Sequence, residues 1–262
     1  MNQKTTNSFL ALLKLIYAVK MESTTTHQNY PCHFLDTNVL LDVVIKWNIN
    51  PRSECRKYME CSSTKYISER VHSESEKVLN RHRKVAFKYM SFFLEEYNSG
   101  KIHSENNLQG LRRNFLVKYD DQLYPEKIHF KRFRSLVKAI DLYFHDEFVN
   151  YLYNPTDITF NTLKSSIRKE ITDAQQDLDD ICDQNLIKCP NSYDNTMQML
   201  ENQLLGLGLH KPDHLILLDC HCLGNTTLNV NLAFITSDNG IVDSKDDIEA
   251  MLNNLFIFKP TI

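Results

Sequence analysis

The stretch "HFLDTNVLLDVV", His33 to Val44, starts as a buried strand and breaks at an acidic turn. Its apolar Phe34-Leu35 pair runs into Asp36-Thr37-Asn38, after which the chain turns apolar again. Short apolar runs of this kind suit a strand covered on both faces, and the density of Asn38 to Val44 suits a helix packed on a sheet. A carboxylate at that junction has two readings. Asp36 caps the helix that follows, or it holds a metal ion.

The same rhythm recurs outward from this point. "KYIS", Lys65 to Ser68, reads as a second strand, with Ser68 preceding the helical run "ERVHSESEKVL". Near the C-terminus "PDHLILLDCHCL" reads as a helix with Asp213 in a cap-like position after Pro212. "LAFITSD", Leu232 to Asp238, reads as a strand ending in a polar turn; "DIEAMLNNL" is a short helix, and "LFIFKP" a last strand. Strands alternating with helices predict a parallel α/β sheet. Between the two halves, about Asn80 to Leu209, the pattern is almost wholly helical. Leu163, Ile167, Ile171, Ala174, Leu178 and Ile181 recur at steps of three and four, as do Phe130, Phe133, Val137, Ile140, Phe144 and Phe148. Such stripes are helix-packing core.

Composition bounds the answer without choosing it. The chain has 262 residues, long enough for one large domain or two small ones. With 42% hydrophobic and 24% charged residues it reads as soluble and globular. A formal net charge of −3 gives no overall pull toward nucleic acid or membrane, so any basic surface is local. Seven cysteines without a CxxC pair fit reduced thiols in a cytoplasmic protein. The apolar run Ser8 to Val19 is too short for a membrane span and is interrupted by Lys14. Residues 1–30 read as an N-terminal extension, with Met21 opening a polar run that fits a later start.

Three acids share one kind of position. Asp36 and Asp238 end strands, and Asp213 opens a helix on the same sheet. Ligands of open parallel sheets bind at the carboxyl ends of the strands. Clustered carboxylates repel, and keeping several ionised together needs a cation. Oxygen-only donors select hard ions such as Mg²⁺ or Mn²⁺.

Four motifs in order resemble those of the PIN-domain ribonucleases. "FLDTNVLLD" resembles the opening motif, "ISERVHSE" the second with its acid at Glu74, "KPDHLILLDCHCL" the third, and "FITSDNGI" the fourth. Each alone is a common pattern, and all four in their strand and helix contexts make a specific signal. The resemblance implies a three-layer, Rossmann-like PIN core from residues 31–80 and 208–262, with 81–207 as a large helical insertion. It implies that Asp36, Glu74, Asp213 and Asp238 are the catalytic metal ligands for Mg²⁺ or Mn²⁺. Asn38, Thr236 and Ser237 would be hydrogen-bond donors around them, and Asp219 a supplementary acid. The implied activity is a cytoplasmic endoribonuclease that hydrolyses RNA with metal-activated water, leaving a 5′-phosphate and a 3′-hydroxyl. An antitoxin-like or other protein partner and a homodimer are further implications. The chain departs from the pattern in two places: Glu74 and Asp213 stand 139 positions apart, and Gly240 stands where many relatives carry another acid.

Substrate binding calls for positive charge. Residues 77–138 hold fourteen Lys and Arg against six Asp and Glu. The densest groups are Arg81, Arg83 and Lys84, Arg112 and Arg113, and Lys131, Arg132 and Arg134. They are expected to contact nucleic acid, or else to cover apolar helix surface. Asp42 reads as a solvated helix residue. Two other functions compete: a PIN scaffold without catalysis that binds RNA or a protein, and a phosphatase. Asn38 counts against the phosphatase, since that chemistry wants a second aspartate there.

Overall fold

The computed structural model describes residues 27–47, 52–123, 130–191 and 197–260. Most of the N-terminal extension, residues 1–26, therefore lies outside the described residues.

Five parallel strands form one sheet. They are β1 (Cys32–Leu35), β2 (Thr64–Ser68), β3 (Ile187–Cys189), β4 (Leu232–Ile235) and β5 (Leu255–Phe258), in the spatial order β3-β2-β1-β4-β5. That order is compatible with a three-layer, Rossmann-like arrangement, in which the chain works outward from β1 in one direction and then in the other. β1 and β4 are central, so Phe34, Leu35 and all four residues of β4 are buried. Parallel central strands read as unbroken apolar runs for this reason.

Eleven α-helices fall within the described residues. Two short ones, α1 (Thr37–Val44) and α2 (Arg52–Met59), link β1 to β2. After β2 come α3 (Glu69–Asn98), α4 (Glu105–Leu123), α5 (Phe130–Tyr143), α6 (His145–Tyr153) and α7 (Asp157–Gln184). Next, α8 (Gln198–Gly206) and α9 (Asp213–Cys222) lead to β4, and α10 (Asn239–Asp243) and α11 (Lys245–Met251) lead to β5.

The long helix α3 joins sheet to helical region. Ser68, fully buried at the end of β2, accepts a hydrogen bond from the Val71 amide and so starts it. Its stop is a Schellman turn. Gly100 takes φ +74°, and the amides of Gly100 and Lys101 return to the carbonyls of Tyr97 and Glu96. Val71, Leu79, Val85, Tyr89 and Phe93 make its buried stripe. Beyond the sheet this stripe meets Phe115 and Phe148, with ring centroids 5.0 Å (Tyr89–Phe115) and 4.9 Å (Phe93–Phe148) apart. A boundary at residue 80 thus falls inside a single helix, and α3 belongs to both parts.

Two expectations change. The stretch from Asn80 to Leu209 contains a strand: β3 pairs with β2 through Tyr66↔Ile187 and Ser68↔Cys189. Three residues on a sheet edge, two of them exposed, are too few to show a period of two. The aromatic stripe from Phe130 to Phe148 spans two helices that break at Phe144, although Phe133, Val137, Ile140, Phe144 and Phe148 are buried as the stripe requires. The stripe of α7 holds too, with Leu163, Ile167, Ala174 and Leu178 buried and Ile171 and Ile181 packed partly against them.

Candidate metal centre

Where the strand order reverses, β1 and β4 lie side by side and end together. The register pairs Leu35 with Ile235, so the next residues, Asp36 and Thr236, stand opposite each other past the last rung. The Asp36 amide still donates to the Ile235 carbonyl at 3.0 Å. The Thr236 hydroxyl then donates to Asp36 Oδ2 at 2.6 Å, and the Thr37 amide to Oδ1 at 2.7 Å. Asp36 is 1% exposed. Burial pushes its carboxyl up to about 7, with the Glu74 and Asp238 carboxylates adding to the rise, against the pull of the bonds from Thr236 and Thr37.

Asp238 arrives from the same edge. It caps α10, accepting from the Gly240 amide at 2.7 Å, while its own amide donates to Thr236 Oγ1 at 2.9 Å. A Cβ at position 240 would stand 3.1 Å from Asp238 Oδ1, so glycine leaves that oxygen room. One amide nitrogen spans the two acids: Asn38 Nδ2 donates to Asp36 Oδ2 at 3.3 Å and to Asp238 Oδ2 at 3.5 Å. Glu74 is brought in from α3 by Thr37, whose hydroxyl donates to Glu74 Oε2 at 2.7 Å. Cap and ligand are thus compatible roles for Asp36 and Asp238, since each carboxylate oxygen keeps lone pairs beyond one bond.

The remaining predicted residues divide. Asp213 is the first residue of α9 and not its cap; Pro212 holds the cap position with no side-chain bond. Asp213 itself is half-buried. Beside it the buried His214 ring sits between the His210 carbonyl and the Glu201 carboxylate, anchoring the start of α9. Asp219 is fully buried and paired to Arg70 Nε at 3.1 Å, so it serves the α3–α9 contact. The Ser237 hydroxyl donates to Asp42 at 3.1 Å. Asp42 is therefore no solvated helix residue: it is half-buried and ties α1 to the turn carrying Asp238.

Thr37 and Arg70 escaped the sequence reading. Thr37 stands inside the first motif, between two residues that were singled out. Arg70 and Asp219 lie 149 positions apart, and nothing in the sequence pairs them.

The donors gathered here are carboxylate oxygens, the atom type that a hard divalent cation takes. Burial and the Glu74 and Asp238 carboxylates disfavour the ionised form of Asp36, and the bonds from Thr236 and Thr37 oppose them; a cation would tip the balance toward the carboxylate. No three of the four acids bring donor atoms within 4.8 Å of one another; among the described residues His72, Glu76 and Asp179 do so, on the flank of α3 that faces α7. The basic residues also separate. Arg81, Arg83, Lys84, Arg113 and Arg134 are exposed. Arg112 is instead half-buried and paired to Asp141 at 3.4 Å. The side chains of Lys131 and Arg132 lie outside the described residues. All seven cysteines are free thiols. Among the described residues no helix is long and apolar enough to cross a membrane.

No family model, curated protein or solved structure matches the chain.

Proposed function

We propose that the protein is a metal-dependent endoribonuclease of the PIN type, working in the cytoplasm. The observation that carries this reading is the junction of Asp36 and Asp238 where the strand order reverses, bridged by Asn38 and joined to Glu74 through Thr37. The order of the four sequence motifs supports it, as does the position of open-sheet ligand sites at strand carboxyl ends. Asp36, Glu74 and Asp238 would hold Mg²⁺ or Mn²⁺, with Asp213 joining from the start of α9.

The chemistry such an ion supplies is positive charge against a phosphodiester and acidification of the attacking water. The chain's own groups do the rest. Thr236 and the Thr37 amide fix both oxygens of Asp36, so the carboxylate is oriented before substrate arrives. Asn38 holds Asp36 and Asp238 in one relative position, and Thr37 does the same for Glu74. The Ser237–Asp42 bond keeps the β4 turn seated on α1. Exposed cations on α3 would receive the RNA backbone.

The test is cleavage of total RNA with Mn²⁺ or Mg²⁺ by the wild type, Asp36→Asn and Asp238→Asn. The reading expects metal-dependent cleavage that both substitutions abolish. Cleavage unchanged by either would sink the assignment. Metal binding without cleavage would favour a scaffold that binds RNA or a protein partner.

A further inference from the structure

The helix α3 carries one continuous line of charge beside the candidate metal centre. Arg70, Glu74, Lys77, Arg81, Lys84 and Lys88 follow one another at steps of four and three, the spacing of residues on one helix face. Glu74 is the member that faces Thr37 and the acid cluster. One turn before it, Arg70 is gripped at Nε by the fully buried Asp219, at 3.1 Å, and its amide is capped by Asn191. That grip uses one edge of the guanidinium and leaves its terminal nitrogens for another partner. After Glu74 no acid interrupts the line before Lys88. Lys77, Arg81 and Lys84 are exposed, and Lys88 is half-buried with its ammonium 4.7 Å from the centre of the Tyr119 ring.

We infer that this face is a track for a single strand of RNA, with the bond to be cut lying against Glu74. The inference rests on the nuclease reading for its direction and adds to it the surface and the form of the substrate. From Lys77 onward successive cations stand about 4.5–6 Å apart along the helix axis, on the scale of the phosphate spacing in one extended strand, and Arg70 lies about 10.5 Å before Lys77 with Glu74 between them. A single file of point charges suits one backbone, whereas a duplex presents two phosphate rows. Arg70 clamps the phosphate on one side of the cut, and its fork, pre-set by Asp219, can engage two phosphate oxygens. Lys77, Arg81 and Lys84 hold the phosphates on the other side. Arg113 and Arg134, though exposed and basic, belong to α4 and α5 and are not in the file.

The test is fluorescence anisotropy of a labelled oligouridylate about 12 nucleotides long, bound to the full chain in EDTA so that no cleavage occurs. The track variant is Lys77→Gln/Arg81→Gln/Lys84→Gln. The control is Arg113→Gln/Arg134→Gln/Lys138→Gln, which removes the same charge from exposed positions off the file. The track variant is expected to bind at least about tenfold more weakly, and its slope of log affinity against log salt to flatten by about 2. The control is expected to bind within about twofold of the wild type. Equal losses in both triples, or no loss in the track triple, would overturn the inference, as would a duplex RNA bound as tightly through the same residues. The outcome is separable from that of the nuclease reading. A wild type that never cleaves but binds through the track sinks only the nuclease. One that cleaves while the track triple binds normally sinks only the track.

Discussion

An Asp36→Asn substitution isolates what the acid cluster costs the fold when no cation is bound. Asp36 is buried, and its carboxyl is pushed up to about 7 from an ordinary 3.8. Because the folded state binds this proton more tightly than the unfolded chain, stability falls as pH rises from about 4 to about 7. Below that window both states are protonated and the cost vanishes. Above it the cost is complete, roughly 4 kcal/mol. Asparagine has no proton to lose, so it escapes the cost. It sacrifices instead the acceptor that Thr236 and Asn38 both use at Oδ2, at about 1 kcal/mol for each bond. The variant should therefore be about 2 kcal/mol less stable than the wild type near pH 4 and about 2 kcal/mol more stable near pH 8. For a chain of this size the gain at high pH is a rise in Tm of roughly 4–8 °C. Thermal melts of both proteins in EDTA across this range read the difference directly, and titrations common to the pair cancel. A difference that stays flat with pH would refute the reasoning. Added Mn²⁺ should then reverse the order at high pH, because only the wild type has the carboxylate to bind it.

Other expectations follow from the same contacts. Mn²⁺ at about 100 times its dissociation constant should stabilise the wild type by about 2.7 kcal/mol; Asp213→Ala should lose most of that in differential scanning fluorimetry if Asp213 joins the site. Arg70→Ala removes the guanidinium paired to the buried Asp219 carboxylate and should cost about 3 kcal/mol in urea unfolding, much of it regained by Arg70→Met/Asp219→Leu. Thr37→Val removes the hydroxyl on Glu74; it should cut RNA cleavage by about tenfold while leaving the urea midpoint within about 1 kcal/mol of wild type. Leu163→Ala, in the fully buried stripe of α7, should cost about 2–5 kcal/mol and leave Mn²⁺ binding unchanged.

The strand–helix junctions were legible in the sequence because each is written within a few residues. Phe34-Leu35 before Asp36, Ile67 before Ser68 and Phe234-Ile235 before Thr236 all show an apolar run halted by a group that caps a helix or ends a ladder. Asp36 and Asp238 could be read as partners from their equivalent places in the sheet. The amphipathic periods of α5 to α7 marked their buried faces for the same local reason. By contrast β3 was invisible, since three edge residues draw their order from β2 and not from their own pattern.

What the tertiary structure alone decided concerns pairings between distant positions. The register of β1 on β4 sets the Thr236 hydroxyl on Asp36, 200 positions away, and the packing of α3 on α9 joins Arg70 to Asp219. It also ties the half-buried Asp42 to Ser237 and commits Arg112 to Asp141, so neither acid nor cation is what its local sequence indicates. Local spacing determines which face of a helix is buried and where a strand stops. Which polar group meets which, and how far burial shifts a carboxyl such as that of Asp36, depends on the packing of elements far apart in the chain.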